Sequence, residues 1–208
     1  MGLDWNPANK PKPGCEKEYI ELFDALSGES TPDIERKKLR FCEITTSAFE
    51  TLEAPRVGIN IEANDWAKKK YAEKKPDMSL EQWLEKFKGY YVLELVPKCD
   101  GLPRYSSGCL GYVQLFSFRA QFLTDCTEII GEKLLEEAYI NKLVPEFKIY
   151  GQNLLAKAGE YMKKHNLKPP EKTPDNPDSV EAHIDVVLAA SRWCKFWSDR
   201  EHPLEAYW

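Results

Sequence analysis

The chain predicts an α+β fold, predominantly helical, with a small, mainly antiparallel three-stranded sheet (about 57–61, 90–96 and 110–116) covered by helices. Two observations carry that expectation. From Phe118 onward, apolar side chains recur at spacings of three and four, the period of a helix with one buried face. Only three short runs are alternating or rich in β-branched residues, and too little helix separates them for a repeated parallel βαβ series. The 208 residues, 42% hydrophobic and 30% charged, suffice for a sizeable core under a solvated surface.

The elements follow in order. Residues 1–14 hold Pro7, Pro11 and Pro13, which exclude helix and central strand, so the segment is expected to be an extended, proline-rich arm. Leu3 and Trp5 are costly to leave in water, so the arm should pack on the body with Trp5 as its anchor. Residues 15–208 are read as a single globular domain. Cys15–Leu26 is helical by the spacing of Tyr19, Leu22, Phe23 and Leu26, and Ser27-Gly28 ends it. Thr31-Pro32 supplies an N-cap and a first-turn proline to a helix carrying Ile34, Leu39, Cys42 and Phe49, although Ile44-Thr45-Thr46 could equally be strand. Val57–Ile61 alternates and is the first strand. Asn64 or Asp65 caps a helix through Tyr71, broken at Pro76. Ser79-Leu-Glu-Gln82 is a capping box opening a helix with Trp83, Leu84 and Phe87 inward, and Gly89 stops it. Tyr90–Val96 and Leu110–Phe116 are the second and third strands.

Beyond them, Phe118, Phe122, Cys126 and Ile129 share one stripe, which Leu134, Leu135 and Ala138 continue past Gly131. Phe147, Leu154, Leu155, Ala158 and Tyr161 mark a long helix after Pro145. The segment 168–178 carries four prolines and reads as an exposed linker. Asp178-Ser-Val-Glu181 caps a last helix that is apolar nearly all round, through Ile184, Val187, Leu188, Trp193, Phe196 and Trp197, so it should be deeply packed.

Composition removes several functions. The net charge of −5, with lysines scattered among acids, leaves no basic stripe to neutralise phosphates, so no nucleic-acid partner is expected. No apolar run is long enough to span a membrane, and the polar first residues do not read as a signal peptide, so a cytoplasmic protein is expected. Six cysteines, at 15, 42, 99, 109, 126 and 194, show neither Cys-x-x-Cys spacing nor a histidine nearby, and all are expected to be reduced. Cys42, Cys126 and Cys194 read as small buried hydrophobes. His165, His183 and His202 lack ligand spacing, and there is no phosphate-binding glycine loop or Gly-x-Ser-x-Gly elbow, so neither metal nor cofactor is expected.

Two features could carry chemistry. On strand parity, Tyr90, Val92, Glu94 and Val96 share one face, and Tyr112, Gln114 and Phe116 another, each set apolar except for one mid-strand polar residue. Glu94 and Gln114 would then lie on a covered face, Glu94 as a ligand anchor or in an ion pair with Arg56, Arg104 or Arg119. The loop leaving the second strand brings Cys99, Asp100, Arg104, Tyr105 and Cys109 together beside Pro97 and Pro103. Its thiol could be a nucleophile, and its acid, guanidinium and phenol could bind a polar ligand. The expected function is binding of a small molecule or a protein partner at a pocket between the sheet face and the 97–109 loop, with Glu94, Cys99, Asp100, Arg104, Tyr105, Tyr112 and Gln114 around it. The alternative is an enzyme using Glu94 or Asp100 for acid–base chemistry, or Cys99 as nucleophile.

Overall fold

The structure, a computed structural model, describes residues 2–27, 32–96, 102 and 114–208. In chain order its elements are β1 (Asp4–Pro7), β2 (Lys10–Pro11), α1 (Glu16–Ser27), α2 (Ile34–Ile44), β3 (Thr45–Thr46), α3 (Ala48–Thr51), α4 (Ile61–Lys74) and α5 (Leu80–Phe87). They continue with α6 (Thr127–Ile130), α7 (Glu132–Glu137), α8 (Val144–His165), α9 (Val180–Ser198) and β4 (Leu204–Tyr207), with 3-10 turns at Leu93–Leu95 and Ala120–Cys126. The chain is thus predominantly helical with a little antiparallel sheet, the class the sequence predicts.

The strands are not the predicted ones. β1 pairs with β4 and β2 with β3, as two separate antiparallel ladders. Residues 57–61 instead form a turn: Arg56 N donates to Asn60 Oδ1 at 2.8 Å, Gly58 N to Asn64 Oδ1 at 2.7 Å, and Gly58 takes φ +86. Asparagine side chains that bond nearby backbone outcompete the extended form favoured by Val57, Ile59 and Ile61. Residues 90–96 contribute one bridge, Arg56 to Tyr91, before the chain tightens into a 3-10 turn. Of the third run, 110–113 lie outside the described residues, and 114–116 belong to a turn closed by Gln114 N donating to Ser117 O at 2.7 Å.

The chain divides into two compact units, Met1–Ala48 with Ser106–Trp208, and Phe49–Tyr105. In the larger, α8 and α9 form the main helix pair. Gly151 lets them approach: a Cβ there would lie 2.6 Å from the Cys194 Cβ, and Ser191 Oγ donates to Gly151 O at 2.8 Å. Pro145 opens α8 in its first turn, and Ser179 caps α9 by accepting from Ala182 N. α9 buries Ile184, Val187, Ala190, Trp193, Cys194 and Trp197 completely, so it is a core helix rather than a surface one.

Trp193 lies at the middle of a ring cluster, with Trp5, Phe147, Trp197 and Phe118 at centroid distances of 6.1, 5.9, 6.4 and 6.5 Å. Trp5 reaches that cluster from β1, where the register Asp4 to Tyr207 through Pro7 to Leu204 fixes which side chains turn inward. Its indole donates to Ala138 O at 2.8 Å, so its one polar atom is satisfied inside the core. Two basic side chains are buried in the same unit. His202 Nδ1 lies 2.7 Å from Ala8 O, and burial pushes its pKa down to about 4, so the imidazole is neutral and this nitrogen donates. Lys142 donates through Nζ to Glu137 O at 2.6 Å, at the end of α7, and lies 4.9 Å from the Tyr150 ring centroid. Burial lowers its pKa.

The smaller unit has a slighter interior, Val57, Ala63, Ala67 and Val92, against which Trp66, Leu84 and Phe87 are half-buried. Its α5 opens with the expected capping box, Gln82 N donating to Ser79 Oγ at 3.2 Å and Ser79 N to Gln82 Oε1 at 3.0 Å. Gly89, at φ +84, turns the chain after it.

Four cysteines are free thiols, Cys15, Cys42, Cys126 and Cys194, while Cys99 and Cys109 lie outside the described residues. Cys126 and Cys194 are buried, but Cys42 is exposed on α2, because that helix turns only a narrow face inward. No described helix is long and apolar enough to cross a membrane. Residues 168–178 carry neither helix nor strand.

Candidate functional site

Of the predicted site residues, Cys99, Asp100, Arg104, Tyr105 and Tyr112 lie outside the described residues. Glu94 sits in the 3-10 turn of the smaller unit and is exposed, so the covered strand face invoked for it does not exist. Its carboxylate accepts from Trp66 Nε1 at 2.9 Å and lies 3.6 Å from Lys70 Nζ. Arg56 and Arg119, two of its candidate partners, are engaged otherwise: Arg56 donates to Gly89 O at 2.8 Å, and Arg119 pairs with Asp4 at 2.7 Å. Gln114 is half-buried and belongs to the larger unit.

A different constellation gathers on the larger unit, and it starts from α1. Tyr19 and Phe23, one turn apart, stack at 5.6 Å and pack with Ala8 and Ile44, against which Leu143 and Phe41 also lie. Clefts adjoin this stack. One, of about 500 Å³, is walled by Pro11, Pro13, Tyr19, Ile20, Leu143 and Pro145, with Lys10, Glu16 and Glu201 among its polar groups. A second, of about 620 Å³, is bounded by Phe23, Asp24, Tyr139, Leu143, Glu146 and Trp208. A third, of about 220 Å³, lies among Pro7, Asn9, Phe23, Phe41 and Glu205. Leu143 is common to the first two, and Phe23 and Asn141 to the second and third, so the three share walls. Proline-rich backbone without N–H donors gives the first cleft stiff, apolar sides.

Tyr19 is the unusual member. It is 2% exposed, and its hydroxyl has no hydrogen-bond partner among the described residues. Burial, with a smaller contribution from the Glu205 charge, pushes the phenol above its ordinary range. A buried hydroxyl left unsatisfied costs about 1–3 kcal/mol. The other buried orphan, the Trp193 indole N–H, sits within the ring cluster of the core and lines none of these clefts.

No sequence motif announced this constellation, because its walls come from residues 7–26, 139–146 and 201–208, with Phe41. Pro7, Pro11 and Pro13 are visible as stiff backbone, but their meeting with Pro145 and Pro203 depends on long-range ladders. Among the described residues, no three His, Cys, Asp or Glu side chains are grouped to hold a metal ion. What the clefts offer is apolar surface and carboxylates, with the Tyr19 hydroxyl buried behind the wall of the first, which is recognition chemistry. Comparison with protein-family models, with curated proteins and with solved structures finds no match.

Proposed function

We propose that the chain is a ligand-binding module whose seat is the group of clefts around Tyr19. The sequence points to binding of a small molecule or a partner at a pocket beside the 97–109 loop; the geometry supports the same class of function at another place. The observation that carries it is the buried Tyr19 hydroxyl, without a partner among the described residues, on a side chain that lines a proline-walled cleft of about 500 Å³. A ligand with an apolar body and one hydrogen-bonding group would remove that deficit on binding, once the Tyr19 ring shifts to bring its sealed hydroxyl to the cleft. Acid–base chemistry at Glu94 or Asp100 has less behind it, since Glu94 is exposed and shares its carboxylate between Trp66 and Lys70.

A fragment screen read by chemical-shift changes tests the proposal. Fragments carrying one polar group are expected to shift resonances of residues 10–23 and 139–146. Tyr19→Phe, which removes only the hydroxyl, should weaken them about three- to tenfold, the worth of one hydrogen bond. Hits that map elsewhere, or that bind Tyr19→Phe unchanged, overturn the proposal.

A further inference from the structure

We infer that the ligand of these clefts is a small amphipathic cation, an amine carried on an apolar or aromatic body; this rests on the cleft function proposed above. Five carboxylates line the three clefts, those of Glu16, Asp24, Glu146, Glu201 and Glu205. Lys10 is the one basic residue among the described lining residues, and its ammonium donates to Arg200 O at 3.2 Å. Some acids elsewhere are paired, such as Glu18 of α1 with Arg40 of α2, at 2.8 Å, and Glu160 with Lys157, at 3.0 Å. None of the five cleft carboxylates is in an ion pair among the described residues. Lys142, whose buried charge interacts with Glu146, spends its donors on backbone carbonyls.

The walls add a second, independent indication. The cleft of about 620 Å³ sets Asp24 and Glu146 among the rings of Phe23, Tyr139 and Trp208. Trp208 is held against Tyr139, its indole donating to Tyr139 O at 3.3 Å and the rings meeting edge-on at 6.1 Å. Ring faces carry negative charge density, so aromatic walls beside carboxylates favour a cation over a neutral or anionic guest. Tyr19 lines the neighbouring cleft of about 500 Å³, where the Glu205 charge acts on its phenol. An anion in the larger cleft would meet the Asp24 and Glu146 carboxylates, with no basic side chain in its lining to compensate. A cleft of about 620 Å³ is of the size that encloses a small molecule, which sets the scale of the guest.

The experiment uses three probes with one body and three charges, phenethylammonium, 2-phenylethanol and phenylacetate, titrated into the full chain and followed by chemical shifts and calorimetry. The ammonium is expected to bind about tenfold tighter than the alcohol, and the carboxylate not to bind. The advantage should shrink as salt rises from 50 to 500 mM, because the Debye length falls about threefold. Asp24→Asn with Glu146→Gln keeps the shape and the α8 cap while removing two charges, and should bring ammonium and alcohol to equal affinity. If the alcohol binds as tightly as the ammonium and still depends on Tyr19, the cationic assignment is wrong and the cleft function stands. If neither these probes nor any screened fragment shifts the cleft residues, both fail. If a lysine-rich peptide binds tighter than the amine and loses affinity in the double variant, the guest is a macromolecule and the small-molecule assignment is overturned.

Discussion

The two compact units bury their aromatic rings to different depths. In the larger one, Trp5, Trp193 and Trp197 are wholly inaccessible, and Phe118 and Phe147 with them. Among the described rings of Phe49–Tyr105 only Trp83 is buried, Trp66, Phe87 and Tyr91 are half-covered, and Tyr90 is 51% exposed. The smaller unit has more surface for its volume, and its fully covered interior includes two alanines. Its rings are therefore secured at the rim: Trp66 stacks on Tyr90 with planes 12° apart and donates to Glu94, and Arg56 lies over Tyr91 at 5.0 Å. Exposed rings held by polar neighbours are what a small interior leaves over, which is why Glu94 is read more simply as a brace for Trp66 than as a reacting group.

The largest expected effect breaks this contrast if it fails. Trp5→Ala should cost about 3–5 kcal/mol of unfolding free energy, because it empties a ring-lined site and leaves Ala138 O without its donor. Trp66→Ala, at a half-covered site, should cost about 1 kcal/mol. Urea denaturation of both variants decides; equal losses would show that ring burial does not separate the units.

Acid sharpens the comparison. His202 titrates near 6.5 in an unfolded chain and at about 4 in the folded one, so between those values the unfolded state binds the extra proton. Its contribution is complete above pH 6.5 and is lost as pH falls through 4, to a total of about 3 kcal/mol. Denaturation midpoints at several pH values should show this slope, and His202→Gln should flatten it.

The smallest effect lies within one helix. Gly151→Ala places a Cβ 2.6 Å from the Cys194 Cβ and should cost about 1–3 kcal/mol. Gly159→Ala, with nothing within 4 Å, should gain about 0.5–1 kcal/mol from helix propensity. Melting temperatures that move in opposite directions would confirm that close packing, not helix geometry, selects glycine at 151.

The helices were legible where chemistry is local. The Ser79–Gln82 box, Pro145 in the first turn of α8, Ser179 at the head of α9 and the apolar circumference of α9 all act within a few residues of themselves. The strands were not. Val57–Ile61 has the composition of a strand, but Asn60 and Asn64 bond the turn, a competition that alternation cannot report. The real β1 and β4 are short, and β1 ends in Pro7, so neither presents a run that stands out. The Tyr19 clefts share that fate, since each wall is ordinary until the distant ladders bring the walls together. Glu94 was visible as an unusual charge among apolar neighbours, but its neighbours depended on a strand that does not form.

The β1–β4 ladder also has a consequence for the order of folding. Asp4–Pro7 is made some two hundred residues before its partner Leu204–Tyr207, so β1 must wait, with Trp5 unburied, until that partner has been synthesised. The α8–α9 pair and the Phe49–Tyr105 unit rest on contacts closer in sequence and can form first. Closure of the ladder is then a late event that brings Trp5 onto Trp193 and assembles the proline walls of the clefts. Until that closure the Trp5 indole stays exposed, a natural handle for a chaperone, and the cleft walls that the ladder supplies are not yet in place.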